Sequence, residues 1–449
     1  MSAPQLIVMG GGPAGLAAAY YATRQGMRVT LLEATSRVGG NSQTFCHDQF
    51  RFDSGAHRFH DKRPAITADV LSMFNGNIHK VTSPSRIFHS GCFVDFPLSP
   101  LNMIKNLGPR SMLKAGTSLL VQKLPTAKPR NSLEDFAVSA YGRELASRFL
   151  LNYSEKLWGL PAAQLSPGVS GKRMKGLTLT TLLWEAVMGR RAATKHLDGS
   201  FYYPEYGIGE ISKKLAASIG IDNIRTDSRV TRIKVNNGQV NAVEVNHGAD
   251  TFTADFFIST LPIDEAVLCF GDRMSQKVIT ACDQLKYRDL LLVVLFLKKP
   301  HVSKCATIYF PDRDFPFTRI HEPKQRGTAM SPPDKTSLVV EIPFDSSAGL
   351  PSNTDRDKLV SLVNLKLADA GLINLDEIED IATLEMPHAY PVLDLHFSEK
   401  LATAESFLKR FPNFQSIGRN GHFAYAHIHD MLAMGKEAAS AVNRKITHE

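Results

Sequence analysis

The sequence has few of the features that mark a disulfide-stapled, metal-stapled or membrane-spanning chain. Its 449 residues include only five cysteines, and no two of these have the C-x-x-C spacing of a zinc or dithiol site. Without a disulfide framework the chain suits a reducing compartment. The longest unbroken apolar run, Leu290–Leu297, is too short to cross a bilayer as a helix. No basic region precedes the first apolar run, as a cleaved signal peptide would require, so we predict a cytoplasmic protein.

Composition excludes further classes without identifying a function. Glycine (31) and proline (24) are near background, which excludes collagen-like and low-complexity chains. The net charge of +8 favours anionic partners in general. His427 and His429 alternate along a stretch that resembles a strand, but they lack cysteine or acidic partners at ligand spacing, so we predict no metal site.

A βαβ unit in the first forty residues is the clearest local signal. The β-prone run Gln5–Met9 leads into a glycine turn, an alanine-rich helix over Leu16–Gln25 and a second strand over Arg28–Leu32. Glu33 ends this unit, where an acid accepts hydrogen bonds from a ribose hydroxyl and disfavours a 2′-phosphate.

The turn of this unit carries the G-x-G-x-x-G pattern of a dinucleotide site. Gly10 permits the tight turn, Gly12 lets the backbone approach a pyrophosphate, and Gly15 lets the helix pack closely on the strand. The helix N-terminus at Pro13 and Ala14 offers free N–H groups and partial positive charge to that pyrophosphate. We therefore predict dinucleotide binding here.

A second glycine pair favours FAD over NAD. Ala34, Arg37, Gly39, Gly40 and Asn41 follow Glu33 in the pattern E-x-x-x-R-x-G-G. This resembles the loop under FAD in the flavin amine oxidase and protoporphyrinogen oxidase superfamily. The segment that begins Arg229-Val230 resembles the family strand whose valine backbone meets the adenine, and Phe256–Pro262 resembles its return strand. The resemblance implies FAD as the cofactor.

The resemblance and the pattern of elements together predict an α/β fold, in which a Rossmann-like FAD-binding domain is interleaved with a helical region and an antiparallel-sheet substrate domain. Residues 1–95, 210–265 and 400–449 are assigned to the FAD-binding domain, 96–209 to a mainly helical cap and 266–399 to the substrate domain. The predicted elements beyond the βαβ unit are helices over Ser99–Arg130, Ser132–Leu151 and Asp355–Ala370 and from about Asp430, and strands over Arg229–Val235, Val240–Val245, Phe252–Ile258, Tyr287–Leu297 and Thr336–Ile342.

Several blocks narrow the resemblance to the UDP-galactopyranose mutases and related protoporphyrinogen-oxidase-like proteins, which this sequence most resembles in motif order. They are Phe52–His60, Tyr153–Gly159, Tyr287-Arg288, Phe317–Glu322, Tyr390–Val392 and Gly418–Tyr425. The resemblance implies a nucleotide diphosphate sugar as the small-molecule substrate, and an exchange between its pyranose and furanose forms through reduced flavin N5 without net redox change. Arginine suits such a diphosphate because its forked donors grip phosphate oxygens.

The same blocks imply site residues. The catalytic candidates are His57, His60, Arg173, Arg288, Tyr309, Arg319 and Tyr425. The substrate-binding candidates are Tyr153, Trp158, Arg173, Tyr203, Arg288, Tyr309 and Arg319. His57, Gly418, Arg419 and Tyr425 are further candidates for contact with FAD.

The sequence also leaves other hypotheses about function and location open. His427 stands where mutases tend to place an acid, so an FAD-dependent oxidoreductase of the amine oxidase, protoporphyrinogen oxidase or desaturase type is the main alternative. FAD as a purely structural ligand is a third. The basic, partly apolar stretch Ser99–Arg130 also permits peripheral membrane contact. We predict no nucleic-acid partner, and the sequence leaves the oligomeric state open.

Overall fold

The computed structural model describes residues 3–96, 131–169, 200–345 and 353–448, together with scattered positions between 97 and 130. The predicted helix over Ser99–Arg130 therefore falls almost wholly outside the described residues, and Arg173 falls outside them entirely.

The described residues form mixed helices and strands. The strands are β1 (Gln5–Met9), β2 (Arg28–Leu32), β3 (Thr44–His47), β4 (Phe50–Asp53), β5 (Ile78–Val81), β6 (Ser85–His89), β7 (Cys92–Phe96), β8 (Phe201–Pro204), β9 (Ile224–Arg225), β10 (Val230–Asn236), β11 (Gln239–Val245), β12 (Asp250–Thr253), β13 (Phe256–Ser259), β14 (Tyr287–Leu297), β15 (Thr307–Tyr309), β16 (Arg319–His321), β17 (Thr336–Phe344), β18 (Ile378–Pro391) and β19 (Phe414–Ser416). The helices are α1 (Pro13–Arg24), α2 (Pro64–Ser72), α3 (Leu133–Ala146), α4 (Asn152–Trp158), α5 (Gly209–Ile219), α6 (Ile263–Leu268), α7 (Gln276–Asp283), α8 (Asn353–Asp369), α9 (Phe397–Leu408), α10 (Gly418–Gly421) and α11 (Ile428–His448).

A parallel sheet in the order β19-β13-β1-β2-β9 forms the predicted Rossmann-like unit. Strand β1 lies between β2 and β13, and its carboxyl end leads directly into the glycine turn. Helix α11 packs tightly on α1 at Gly435. A Cβ at this position would lie 2.5 Å from the Ala14 carbonyl oxygen, so the close approach needs a glycine. The α/β fold class predicted from the sequence is confirmed.

A seven-stranded sheet in the order β18-β14-β17-β16-β15-β6-β7 forms the second layer. Its long strand β14 is buried along nearly its whole length, as its continuous apolar run predicts. Neighbours in this sheet are antiparallel except β15 and β6, which run parallel. Strands β6 and β7, which the sequence grouped with the FAD-binding domain, hydrogen-bond to this sheet.

Two local predictions were wrong. The single strand predicted over Phe252–Ile258 is two strands in different sheets, because Asp255 turns the chain by exchanging hydrogen bonds with Gln5 in β1. The strand-like stretch around His427 and His429 is the start of α11, which places His429 in the first helical turn.

Helix α4 carries two of the candidate side chains and follows α3 through a π-helical turn over residues 147–151. Ser132 begins α3 with a capping box to Asp135, which satisfies the first N–H groups of the helix. Gly159 ends α4 in the left-handed region at φ +71°. Tyr153 and Trp158 are thereby held near opposite ends of a short helix that continues from α3.

The described residues contain no helix with both the length and the apolar character that a membrane crossing needs. Within the same residues, no three histidine, cysteine, aspartate or glutamate side chains come together in a way that could hold a metal ion.

Candidate functional site

The glycine turn after β1 exposes bare backbone at the start of α1. Gly10 has φ +97°, and a Cβ there would lie 2.3 Å from the Thr260 hydroxyl oxygen. A Cβ at Gly15 would lie 1.9 Å from the Gly10 carbonyl oxygen. Gly12 precedes the helix without any side-chain cap, so the first N–H groups of α1 are left for an anion.

The second glycine pair closes over the first. Gly39 donates its N–H to the Gly11 carbonyl oxygen at 2.8 Å. Gly40 has φ +51°, and a Cβ there would lie 3.1 Å from the Gly12 Cα. Two strips of backbone without side chains thus meet at a helix N-terminus, and this arrangement fits a dinucleotide pyrophosphate.

Glu33 links the two glycine loops. Its carboxylate is buried and accepts hydrogen bonds from the Gly11 N–H at 2.7 Å and from the Thr35 N–H at 2.9 Å. Ala34, which was also predicted to contact FAD, lies between Glu33 and Thr35 in the chain. The Ser228 N–H donates to the Glu33 carbonyl oxygen at 2.8 Å, which brings the start of β10 at Val230 beside this acid. Glu33 and Val230, the two residues predicted at the adenosine end of the cofactor, therefore come from neighbouring segments.

Arg37 and Asn41 are held by protein groups. The Arg37 guanidinium donates to the Thr44 carbonyl oxygen at 3.0 Å and lies over the Phe45 ring at 5.0 Å. The Asn41 amide donates to the Pro387 carbonyl oxygen at 2.9 Å, which ties the second glycine loop to β18. In this arrangement both side chains shape the loop under the predicted cofactor.

Arg419 has its donors committed to backbone oxygens. Its guanidinium donates to the carbonyl oxygen of Ala426 at 3.0 and 2.6 Å and to that of Ala389 at 3.0 Å. It also lies 5.1 Å over the Tyr425 ring. Gly418, just before it, packs against Ala14, since a Cβ at 418 would lie 3.3 Å from the Ala14 Cβ. Arg419 thus fixes the segment that carries Tyr425, next to the start of α1.

The two candidate histidines have different surroundings. Burial, together with the positive charges of Arg419 and Arg319, lowers the pKa of His57 to about 3, so this imidazole is neutral at physiological pH. His60 lies in a group of three imidazoles, with ring centroids 5.6 Å from His427 and 5.9 Å from His429.

Arg319 forms the most buried charge pair of the site with Glu341. Its Nε lies 2.5 Å from Glu341 Oε2, and another of its donors reaches the Tyr390 hydroxyl at 2.9 Å. Glu341 Oε1 accepts the Ala56 N–H at 2.7 Å, beside His57. Burial opposes the charge on Arg319, but Glu341 holds its pKa well above the usual value.

An aromatic cluster surrounds this pair. Trp158 is buried, with its ring 5.6 Å from Tyr390 and 6.2 Å from Tyr425. Tyr390 and Tyr425 stack on each other at 6.0 Å. On the other side the rings of Tyr153 and Tyr309 are 5.8 Å apart, and burial raises the pKa of Tyr153 well above its usual value.

Arg288 joins the cluster from the start of β14. It pairs in register with Tyr390 of β18, and its guanidinium lies over Gly159, where a Cβ would come within 2.8 Å of it. Its Nε is buried and finds no hydrogen-bond acceptor among the described residues. Burial lowers the pKa of Arg288, with Asp345 and Asp289 acting in the opposite direction.

The described candidate substrate residues therefore come together, with one exception. Tyr203 is completely buried and donates its hydroxyl to Asp53 at 2.5 Å, so it offers no surface to a substrate. Arg173 lies outside the described residues.

Two charged residues of this region were not found by sequence reasoning. Arg326 is 2% exposed and donates to the His57 carbonyl oxygen at 3.0 Å and to the Ala306 carbonyl oxygen at 3.1 Å. Glu341 is the second. It stands within the apolar run of β17, and a carboxylate in a buried strand needs a partner. That pattern could have identified Glu341, whereas no local pattern marks Arg326.

The buried histidines predict a pH dependence of stability. His321 lies 3.7 Å from Glu341, and burial lowers its pKa well below the usual value, as it does for His57. Since the unfolded chain binds protons that these folded-state imidazoles do not, the free energy of unfolding should fall as the pH drops below about 6.5, by up to about 1.4 kcal/mol per pH unit for each group.

Urea titrations of the apoprotein between pH 7.5 and 5 test this. His321→Gln should flatten the slope, whereas the exposed His301→Gln should leave it unchanged; equal slopes in all three proteins would contradict the prediction.

Comparison with known proteins shows which protein family and which curated proteins this sequence resembles. The family model described as flavin containing amine oxidoreductase matches residues 13–382. Among curated proteins, protoporphyrinogen oxidase 2, chloroplastic/mitochondrial, of Arabidopsis thaliana is 24% identical over 159 residues, which are 32% of this chain and 30% of that protein. The match thus spans less than a third of this relative's length.

Solved structures share the fold along nearly the whole chain. A reduced UDP-galactopyranose mutase has a TM-score of 0.85 at 20% identity, covering 98% of this chain and 95% of its own. Cyclohexylamine oxidase from Brevibacterium oxydans IH-35A has a TM-score of 0.70 at 15% identity, covering 99% and 100%. At these identities the likeness concerns the fold alone.

Proposed function

This chain belongs to the flavin-containing amine oxidoreductase family, with FAD as its cofactor, and from that premise we propose that it isomerises a UDP-sugar between its pyranose and furanose forms. Its substrate in this proposal is a nucleotide diphosphate sugar that serves as a glycan precursor. The glycine cradle at the start of α1 holds the pyrophosphate of FAD, and the cluster around Tyr390 holds the sugar nucleotide.

The observation that carries the proposal is the pair of arginines beside Tyr390. Arg288 is its register partner on β14 and Arg319 donates to its hydroxyl, so both arginines are neighbours of Tyr390. Glu341 balances the charge of Arg319, whereas Arg288 retains a buried donor without a hydrogen-bond acceptor among the described residues. Such a site attracts a diphosphate and repels a protonated amine.

The remaining side chains suit the other parts of a sugar nucleotide. Tyr425 is partly exposed, with the buried rings of Trp158 and Tyr390 packed against it, and a planar base can pack on its ring. Tyr153 and Tyr309 carry hydroxyl groups that can donate to phosphate or sugar oxygens. The neutral imidazole of His57 adds no charge to the neighbourhood of Arg319 and Arg419. Bound FAD in its reduced form would supply the nucleophile, while the protein orients the sugar and neutralises the departing diphosphate.

The test is an anaerobic assay of the FAD-loaded protein. Dithionite-reduced protein is incubated with UDP-galactopyranose or UDP-galactofuranose, and the nucleotide sugars are separated by chromatography. We expect interconversion of the two ring forms without consumption of an oxidant. If calorimetry detects no binding of UDP or of either nucleotide sugar to the reduced or oxidised protein, the proposal is wrong.

A second candidate is oxidation of a small substrate by FAD, of the amine oxidase, protoporphyrinogen oxidase or desaturase type. The family model and the plant protoporphyrinogen oxidase match favour it. Oxygen uptake or peroxide release with amines or a porphyrinogen, together with no nucleotide sugar binding, would select this alternative.

Replacing Arg288 tests the nucleotide site directly. Arg288→Ala should weaken UDP binding at least tenfold, about 1.4 kcal/mol, because a charged hydrogen-bond donor to the diphosphate is lost. The variant should stay yellow, since Arg288 lies on β14 and the glycine cradle follows β1. Calorimetry with UDP and the flavin absorbance of the purified protein measure both properties. Arg444→Ala removes the same charge from an exposed position on α11 and serves as the control. If Arg288→Ala loses FAD as well, its assignment to the nucleotide site is wrong.

A further inference from the structure

Lys156 lies in the middle of the candidate site's helix, yet its side chain reaches none of the groups described above. It extends from α4 to the chain between β15 and β16, residues 310–318. There its ammonium lies within hydrogen-bonding distance of four backbone carbonyl oxygens, which share its three N–H groups. They are those of Phe310 and Asp312 at 2.7 Å, Phe317 at 2.8 Å and Phe315 at 3.1 Å. The Lys156 side chain therefore bonds to backbone along most of the connection between β15 and β16.

The position of this connection matters because both of its ends carry site residues. Tyr309 is the last residue of β15, and Arg319 is the first residue of β16. Tyr153 and Trp158 stand three residues before and two residues after Lys156 on α4. Lys156 thus joins the two pieces of the protein that supply four of the candidate substrate residues.

The connection has no regular structure that would hold its shape. The Phe310 N–H donates to the Thr318 carbonyl oxygen, and the Phe315 N–H donates to the Asp312 carbonyl oxygen. Four carbonyl oxygens of the loop's backbone contact the Lys156 ammonium. Without the ammonium, the carbonyl oxygens of Phe310, Phe315 and Phe317 would lose this donor. This loss costs free energy, since a buried acceptor needs a partner. The rings of Phe310, Phe315 and Phe317 pack against one another behind the loop, so its backbone cannot turn outward to water without uncovering them.

The charge of the ammonium is also supported. Asp312 and Asp314 act on it against the effect of burial, which lowers the pKa of Lys156 to about 8, so the group is charged at neutral pH. Arg313 bonds to Glu155, the neighbour of Lys156, at 2.5 Å, and Asp312 is paired with His89. These contacts tie residues 312 and 313 to β6 and α4, whereas Lys156 bonds the backbone on both sides of them.

We propose that Lys156 is a positioning residue that assembles the substrate site, by drawing residues 310–318 onto α4 and so setting Tyr309 and Arg319 against Tyr153 and Trp158. It acts through backbone oxygens and does not touch the substrate. The effect on nucleotide binding rests on the function proposed above, whereas the effect on the loop does not.

Lys156→Ala in the FAD-loaded protein tests this with two readouts. Amide hydrogen exchange in 310–318 should accelerate at least tenfold, and UDP affinity measured by calorimetry should fall at least tenfold while flavin content is unchanged. Adding n-propylammonium, which replaces the deleted atoms together with their charge, should restore both properties. Propanol, which fills the same space with one donor and no charge, should restore neither.

Two further variants keep the test decisive. Lys156→Met retains the apolar stem and should show the same two losses if Lys156→Ala does not fold. Lys299→Ala removes another lysine that bonds a backbone carbonyl, but beyond the far end of β14, and should change neither readout. Unchanged exchange in 310–318 in the Lys156 variants, or restoration by propanol as well as by propylammonium, would overturn the proposal. If wild-type protein binds no UDP, the proposed function fails, and hydrogen exchange alone still decides the role of Lys156.

Discussion

Gly15→Ala should yield a protein that purifies without its yellow colour. A Cβ at this position would lie 1.9 Å from the Gly10 carbonyl oxygen, and backbone at that distance cannot move aside as a flexible side chain would. Helix α1 must therefore shift away from β1, which opens the turn that presents its N–H groups to the pyrophosphate. We expect at least a tenfold loss of FAD content, measured by flavin absorbance against protein concentration.

Gly26→Ala is the matched control for this prediction. Gly26 lies just beyond the other end of α1 at φ +83°, where a Cβ would meet no atom within 4 Å. Its cost is backbone strain of about 1 kcal/mol, without displacement of the helix. This variant should be slightly less stable and fully yellow. Equal FAD content in Gly15→Ala and wild-type protein would mean that close packing at the turn is not needed for binding.

The parts of the molecule that were predictable from the sequence are those whose chemistry is local. The glycine turn, α1 and β2 depend on residue types within thirty positions of one another, and the structure has them within three residues of the predicted bounds. Strand β14 was predicted with its observed bounds, and the unbroken apolar run Leu290–Leu297 within it is typical of a buried strand.

Side-chain partners were much less predictable, because they come from distant segments. Arg419 was expected to contact FAD, yet its donors are used by the carbonyl oxygens of Ala426, 7 residues away, and Ala389, 30 residues away. Tyr203 was expected at the substrate and instead bonds Asp53. A motif shows that a polar side chain is needed, but its partner depends on how the elements pack, as Tyr203 and Asp53 show at 150 residues apart.

The contact between Arg319 and Glu341 joins β16 and β17, two strands whose pairing was not predicted from the sequence. This contact also contributes to the stability of the fold. The Glu341 side chain is fully buried, so Arg319→Met leaves a carboxylate without its counter-charge. Breaking one partner of a buried pair costs about 3–5 kcal/mol. We expect urea denaturation to show a loss of that size. UDP binding should also become undetectable, since the donor beside Tyr390 is gone.

The double variant Arg319→Met/Glu341→Gln separates the two roles of the arginine. A glutamine can still accept the Ala56 N–H but carries no buried charge, so much of the lost stability should return. UDP binding should not return, because neither new side chain can donate a charged hydrogen bond to a diphosphate. Recovery of both stability and binding would mean that Arg319 serves the fold alone, and that the diphosphate depends on Arg288. Recovery of stability without binding would assign Arg319 to the ligand, with Glu341 as the group that keeps its guanidinium charged and correctly placed inside the protein.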